Sequence, residues 1–340
     1  MRVTLDNIAH WRHDLTGCLH VTMAVLLGFL GHDPLEILGA GWGFEYHPGE
    51  LRREEYYFPC RGRSLLSALA PHHPVSSTWY LPPDAGTGWQ QVRSVVAAGR
   101  PVAVAADNYE LPFRPAYQDV HTNHLITVFG FDDERGDVLV TDPVPPRFTG
   151  AIPIDVLMAA RDSTNRIDGD RDLFFTGNPI ANRWLTIDAA PVMPVFDRDF
   201  VRNVVLRNIA EFRRPDGGSG MCHGLDGQRR FLAAMTDRLA AGDDTVADEG
   251  FVVAGPALAV AGLHADWLAM AGRRLDWPRL VEAARWVDRV AHHWSAFRIT
   301  VATSRTDPAA SAAPLLARAR ALAADHERAL TLLCSAVETS

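Results

Sequence analysis

Residues 17–31 read GCLHVTMAVLLGFLG and place a single cysteine at the start of an apolar run. From Cys18 to Leu30 nearly every side chain is apolar and no polar face recurs at helical spacing, which predicts a helix buried on all sides. Gly28 and Gly31 are expected to end this helix. Two interpretations of Cys18 fit the pattern. It is either a small core residue or a thiol at a helix N-terminus, where unpaired amides and the helix dipole favour the thiolate.

Further along the chain the sequence predicts a β-hairpin with a histidine at one end and an aspartate at the other. The predicted strands are Arg100–Asp107, His124–Asp132 and Asp137–Pro143. The turn DERG joins the last two, so the start of one strand and the end of the next are expected to lie together. A carboxylate at Asp142 would then orient the His124 ring and stabilise its charged form. The alternative is a plain strand-end histidine beside an Asp-Pro turn.

Several separated motifs carry a resemblance to a known family. The order of cysteine, histidine and Asp-Pro resembles the papain-like cysteine enzymes. The stretches CLHVTMAVLLGFLG, LEILGAGWGFEY, DNYELPF, AYQDVHTNHLITVFGFDD and VTDP are similar to the butirosin biosynthesis protein H family. The similarity covers roughly residues 10–175 and continues more loosely into GLDGQRRFLAAM. It implies an α+β fold, with a papain-like catalytic domain followed by a mainly α-helical domain.

The resemblance also implies an acyltransferase of natural-product biosynthesis. Such an enzyme moves an acyl or aminoacyl group from the phosphopantetheine thioester of an acyl carrier protein to an amine. Carried over to this chain, Cys18 is the nucleophile, His124 the general base and then acid, and Asp142 the orienting carboxylate. Hydrolysis by a cysteine peptidase, amidase or thioesterase is the alternative, because the same three residues can transfer the acyl group to water. A binding module that keeps only the fold is a third possibility.

The sequence departs from the papain pattern upstream of the cysteine. No glutamine precedes Cys18 in HWRHDLTG to supply an oxyanion donor. The Cys18 backbone amide is one candidate donor, and Trp11, Arg12 and His13 are candidates for the second.

Two loops are candidate substrate-binding segments. In GAGWGFEY, glycines allow close backbone approach, and Trp42 and Phe44 are expected to line an acyl pocket. In DNYELPFRPAYQD, just before the histidine, Asp107, Tyr109 and Tyr117 are expected to reach an amine acceptor. A structural turn is the alternative for the first loop.

The second half of the chain shows apolar residues at spacings of three and four, which predicts helices. The segment 176–197 is rich in proline and turn formers and is the expected linker. We therefore expect a catalytic domain over residues 1–180 and a helical domain over residues 181–340.

Composition limits the partners. The net charge of −8 argues against nucleic-acid binding, although EFRRPDGGSGMCHGLDGQRR concentrates four arginines as a candidate docking site for an acidic carrier. These are Arg213, Arg214, Arg229 and Arg230. The polar N-terminus and the short apolar run Phe251–Leu263 predict a cytoplasmic protein without a membrane span. Cys60, Cys222 and Cys334 are expected to be incidental free thiols, and no motif predicts a metal or cofactor.

Overall fold

The structure, a computed structural model, describes residues 1–46, 71–166, 178–215, 220 and 222–338. The chain divides into two compact units. In chain order, the elements are β1 (Arg2–Thr4), α1 (Cys18–Phe29), α2 (Pro34–Leu38), β2 (Glu45–Tyr46), β3 (Val75–Tyr80), α3 (Ala85–Ala97), β4 (Val102–Asp107), β5 (Asn123–Asp132), β6 (Asp137–Asp142), β7 (Phe148–Pro153), α4 (Ile154–Asp162), β8 (Trp184–Ala189), α5 (Arg198–Arg213), β9 (Cys222–His223), α6 (Gly224–Ala240), α7 (Val246–Arg274), α8 (Pro278–Thr303) and α9 (Pro308–Glu338).

An antiparallel sheet forms the centre of the first unit, whose described residues are 1–34, 75–166 and 178–189. In the described part of the chain the sheet has seven strands, in the order β3-β8-β4-β5-β6-β7, with β1 pairing to β5. Gly130 permits this last pairing, because a Cβ at that position would lie 2.6 Å from the Val3 carbonyl oxygen. The predicted strands correspond to β4, β5 and β6, and the DERG turn joins β5 to β6 as a hairpin.

One face of this sheet carries the apolar core shared with α3 and α4. Val104, Ile126 and Val140 alternate with residues of the opposite face, and they pack with α3 and α4 residues that include Val92 and Leu157. This period-two pattern is what directs alternate side chains of β4, β5 and β6 into the core.

The first helix, α1, forms where the apolar run predicts it. All ten residues from Cys18 to Leu27 are buried, so no face of this part of the helix is left to solvent. The helix continues through Gly28 to Phe29, and Gly31, with φ of +84°, follows its end. Such a left-handed residue satisfies the last carbonyls, and Gly31 accordingly donates to the Gly28 carbonyl.

The second unit is built mainly from helices. Its described residues are 35–46, 71–74, 190–215, 220 and 222–338, with the short pair β2–β9 beside α6. An antiparallel sheet in one unit and helices in the other confirm the α+β class expected from the sequence.

The two compact units differ in two places from the domains 1–180 and 181–340 that the sequence predicts. Residues 184–189 form β8, which pairs with β3 and β4 and so belongs to the first unit. Residues 35–46 belong to the helical unit, because they pack on its helices. At Gly39 the approach is so close that an added Cβ would lie 2.6 Å from the Trp267 Cβ.

The apolar run Phe251–Leu263 is part of a much longer helix than the run itself suggests. By length and composition, the 29-residue α7 is apolar enough to cross a membrane, which corrects the expectation that this segment is too short. Two-thirds of its most apolar window is buried inside the structure, as in a core helix.

Candidate active site

The β5–β6 hairpin brings His124 and Asp142 into direct contact. His124 is the second residue of β5, and Asp142 is the last residue of β6. The His124 Nε2 atom lies 2.8 Å from Asp142 Oδ2, and neither side chain is exposed to solvent. Because an ionised carboxylate only accepts hydrogen bonds, Nε2 donates. In a neutral ring, Nδ1 is then the nitrogen that can take a proton from a nucleophile.

Asp142 lies in an environment that keeps it ionised. Burial alone would raise its pKa, but His124, Arg114 and the Val144 amide outweigh this, and the pKa lies below its usual value. The Val144 amide donates to Oδ1 at 2.9 Å. The carboxylate is therefore charged at neutral pH and fixed through both oxygens.

Arg114 contacts the Asp142 carboxylate, and no pattern in the sequence predicts this contact. Its Nη1 donates to Asp142 Oδ2 at 3.1 Å and to the Val144 carbonyl at 3.0 Å, while Nε donates to Asn108 Oδ1 at 3.2 Å. Its side chain is 8% exposed. Arg114 lies 28 residues from Asp142 in a loop without periodicity, so no local pattern indicates the contact.

Cys18 is the first residue of α1, at an N-terminus that has no side-chain cap. Gly17 occupies the N-cap position and has no side chain to accept from the first amides, and the first turn contains no acidic residue. The first bond of the helix runs from the Val21 amide to the Gly17 carbonyl. The dipole of α1 favours negative charge at this end, which suits a thiolate or an oxyanion.

The same end of α1 packs at the start of β5. The Thr22 hydroxyl donates to the Leu125 carbonyl at 3.3 Å, and Leu125 follows His124 directly. Cys18 is four residues before Thr22, and side chains with this spacing share a helix face. The contact therefore ties α1, one turn after Cys18, to the strand residue that follows His124.

The three residues considered for the second oxyanion donor lie in the segment that leads into α1. The Trp11 and His13 rings stack, with centroids 6.3 Å apart, and Arg12 pairs with Asp14 at 3.4 Å. The His13 carbonyl accepts from the Thr16 amide and hydroxyl, which shapes the turn before the helix.

Asp107, a predicted acceptor-binding residue, is held by contacts within the chain. It is fully buried, and Oδ2 lies 2.6 Å from His121 Nδ1 and 2.5 Å from the Ser163 hydroxyl. Oδ1 accepts from the amides of Tyr109 and Thr122 at 3.0 Å. Four donors therefore use both oxygens, and the carboxylate ties the end of β4 to the segment before His124.

The two tyrosines of the same loop differ in exposure. Tyr109 is partly buried and its ring stacks on His121 at 4.0 Å between centroids. Tyr117 is 40% exposed, and its hydroxyl accepts from the Gln118 side chain. Of these residues, Tyr117 is the one whose side chain is open to solvent.

Trp42 and Phe44 pack in the aromatic core of the helical unit. The Trp42 ring stacks with His264 and His326, at centroid distances of 5.3 and 4.8 Å. Phe44 stacks with Trp294 at 5.6 Å. Both side chains are buried among these rings, and the acyl pocket expected of them stays a prediction.

Of the remaining cysteines, Cys222 precedes α6, and its Sγ accepts from Arg230 Nη2 at 3.6 Å. Cys222 and Cys334 are free thiols in the helical unit, and Cys60 lies outside the described residues. Cys334 donates to Glu338 Oε1, and this bond and partial burial raise the pKa of its thiol. Within the described ranges, no group of three or more His, Cys, Asp or Glu side chains is placed to hold a metal ion.

Fold and site together define an α+β domain with a buried histidine–aspartate pair and a cysteine at the start of its buried helix. Residues 17–143, which include all three side chains, match the model of the family described as Butirosin biosynthesis protein H, N-terminal. This match confirms the family resemblance for that part of the chain. No curated protein matches the chain.

Proposed function

We propose that this protein is a cysteine-dependent acyltransferase of antibiotic biosynthesis with a papain-like arrangement of its site. Cys18 is the nucleophile, His124 the general base and acid, and Asp142 the orienting carboxylate. The observation that carries the proposal is the buried 2.8 Å contact between His124 Nε2 and Asp142 Oδ2. The position of Cys18 at the start of α1 and the butirosin biosynthesis protein H match support it.

The chemistry follows from the roles of these groups. His124 Nδ1 takes the proton of the Cys18 thiol, and the thiolate attacks the carbonyl carbon of a carrier-bound thioester. The carbon–sulfur bond to the phosphopantetheine arm breaks, and the imidazolium protonates the departing thiolate. An amine then attacks the acyl-enzyme and gives up a proton through His124, which releases Cys18 with its thiol restored. Backbone amides at the start of α1 stabilise the oxyanion in both steps.

The site is buried, which limits the access of bulk water to an acyl-enzyme. Cys18 is 2% exposed and His124 is fully buried. Transfer in place of hydrolysis then requires that the amine acceptor binds beside the acyl group.

Two of the four arginines predicted to dock a carrier protein form ion pairs with acidic residues of the same unit. Arg229 pairs with Asp226 at 2.9 Å and also with Glu327, and Arg214 pairs with Glu211 at 3.4 Å. These acids offset much of the local positive charge. Long-range attraction of an acidic carrier by this stretch is therefore weaker than four arginines alone would give.

Mass spectrometry of the acylated protein tests the proposal. Incubation with a small acyl thioester is expected to add one acyl mass to the peptide that contains Cys18. Cys18→Ala should abolish this adduct, whereas the matched variant Cys334→Ala should retain it. An adduct on another cysteine, or full turnover by Cys18→Ala, would refute the mechanism.

Product analysis separates transfer from hydrolysis. With a primary amine present, the acyl-enzyme should decay faster and yield the amide. Decay at an unchanged rate with release of free acid would identify the protein as a cysteine hydrolase instead.

A further inference from the structure

Asp142 Oδ2 is shared between the His124 ring and the Arg114 guanidinium. His124 Nε2 lies 2.8 Å from this oxygen and Arg114 Nη1 lies 3.1 Å from it. The two nitrogens are therefore less than about 6 Å apart, a range in which one charge strongly shifts the protonation of another. Arg114 is also held by Asn108 and the Val144 carbonyl, so its position does not depend on Asp142 alone.

The sign of the effect follows from the charges. A buried carboxylate beside a histidine stabilises the imidazolium, and by itself Asp142 would hold His124 in the protonated form. A guanidinium on the same oxygen offsets that attraction and repels the imidazolium. The ring can then exist neutral, as it must to accept the thiol proton.

Other titratable groups also face the pair. His10, from the N-terminal segment, lies 2.6 Å from the Thr141 hydroxyl, and its pKa is lowered by burial and by Arg147, with Asp142 acting in the opposite direction. Asp107 and His121 lie at the end of β4 and before β5, and they pair with each other. Of these groups, Arg114 is the permanent charge in direct contact with Asp142.

We propose that Arg114 is a positioning residue of this site, which fixes the Asp142 carboxylate and offsets its charge so that His124 can act as a base. The inference rests on the proposed function and extends it from three residues to four. The role requires a positive charge at this place, so lysine should replace arginine in part and a neutral side chain should not.

Histidine NMR measures the effect directly. The ring of His124 is titrated in protein labelled with 13C at histidine Cε1, in a Cys18→Ala background so that the thiol does not contribute. Absence of its signal in a His124→Gln variant assigns it. Arg114→Gln is expected to raise the titration midpoint of His124 by about one to two pH units. Arg114→Lys should shift it much less, and Arg135→Gln, on the exposed β5–β6 turn, should leave it unchanged.

Circular dichroism establishes that each variant is folded, and Arg114→Met provides the same test should the glutamine variant not fold. A midpoint that is unchanged or lowered in a folded neutral variant would overturn the inference. With Cys18 present, the acidic limb of the pH–rate profile for acylation should move to higher pH by the same amount, because His124 acts as a base only in its neutral form. A raised midpoint without any acyl adduct on wild-type Cys18 would uphold the role of Arg114 and refute the proposed function.

Discussion

Replacing His326 by phenylalanine is expected to stabilise the helical unit, and to do so more strongly in mild acid than at neutral pH. The ring lies on α9, 1% exposed, stacked with Trp42 and edge-on to Phe212 at 4.4 Å between centroids. Neither ring nitrogen has a hydrogen-bond partner among the described residues. Phenylalanine preserves the ring contacts and removes these buried polar atoms. The expected gain at pH 7 is about 1–3 kcal/mol.

The pH dependence follows from the protonation of the same ring. Burial, followed by the charge of Arg229, lowers the pKa of His326 from 6.5 to about 3. Below pH 6.5 the unfolded chain therefore binds a proton that the folded state does not, and stability falls as the pH decreases towards 3. The slope is about 1.4 kcal/mol per pH unit, so about 2 kcal/mol is lost between pH 6.5 and pH 5. His326→Phe should remove this loss.

Urea unfolding followed by far-UV circular dichroism at pH 7 and pH 5 measures both quantities. The matched control is His292→Phe on α8, because the His292 side chain is 73% exposed and has little desolvation to relieve. Equal pH slopes for wild type and His326→Phe would refute the argument. A loss of stability at pH 7 would also refute it, because the nitrogens would then be making a favourable interaction.

Three further substitutions test the site and the packing. Asp142→Asn should leave the fold intact and slow acylation by about two to four orders of magnitude, because His124 loses the charge that fixes its tautomer. Unchanged acylation rates would show that Asp142 serves only the turn. Asp107→Asn should destabilise the first unit by about 2 kcal/mol, measured by urea unfolding, because an amide cannot accept from all four donors. Gly39→Ala should lower the melting temperature of the helical unit, whereas Gly43→Ala, whose Cβ would meet nothing within 4 Å, should leave it unchanged.

The sequence by itself determined the parts of this protein that depend on local pattern. The apolar run after Cys18 specifies a buried helix, and alternation around the DERG turn specifies the hairpin of β5 and β6. A hairpin turn brings the ends of its two strands together, so the contact between His124 and Asp142 could be predicted from their positions. Helical periodicity likewise predicted that the second half of the chain is mainly helical.

Only the tertiary structure decided which polar and aromatic side chains meet. Asp107 lies 56 residues from Ser163 in sequence, and Trp42 lies still further from His326. Patterns in a short stretch of sequence therefore cannot predict either contact. An aromatic residue after glycines can equally line a pocket or fill a core, because burial depends on which element packs over it. Arg114 shows the same limit. It reaches Asp142 because the loop before β5 folds against the end of β6. Only the folded chain brings these two segments together.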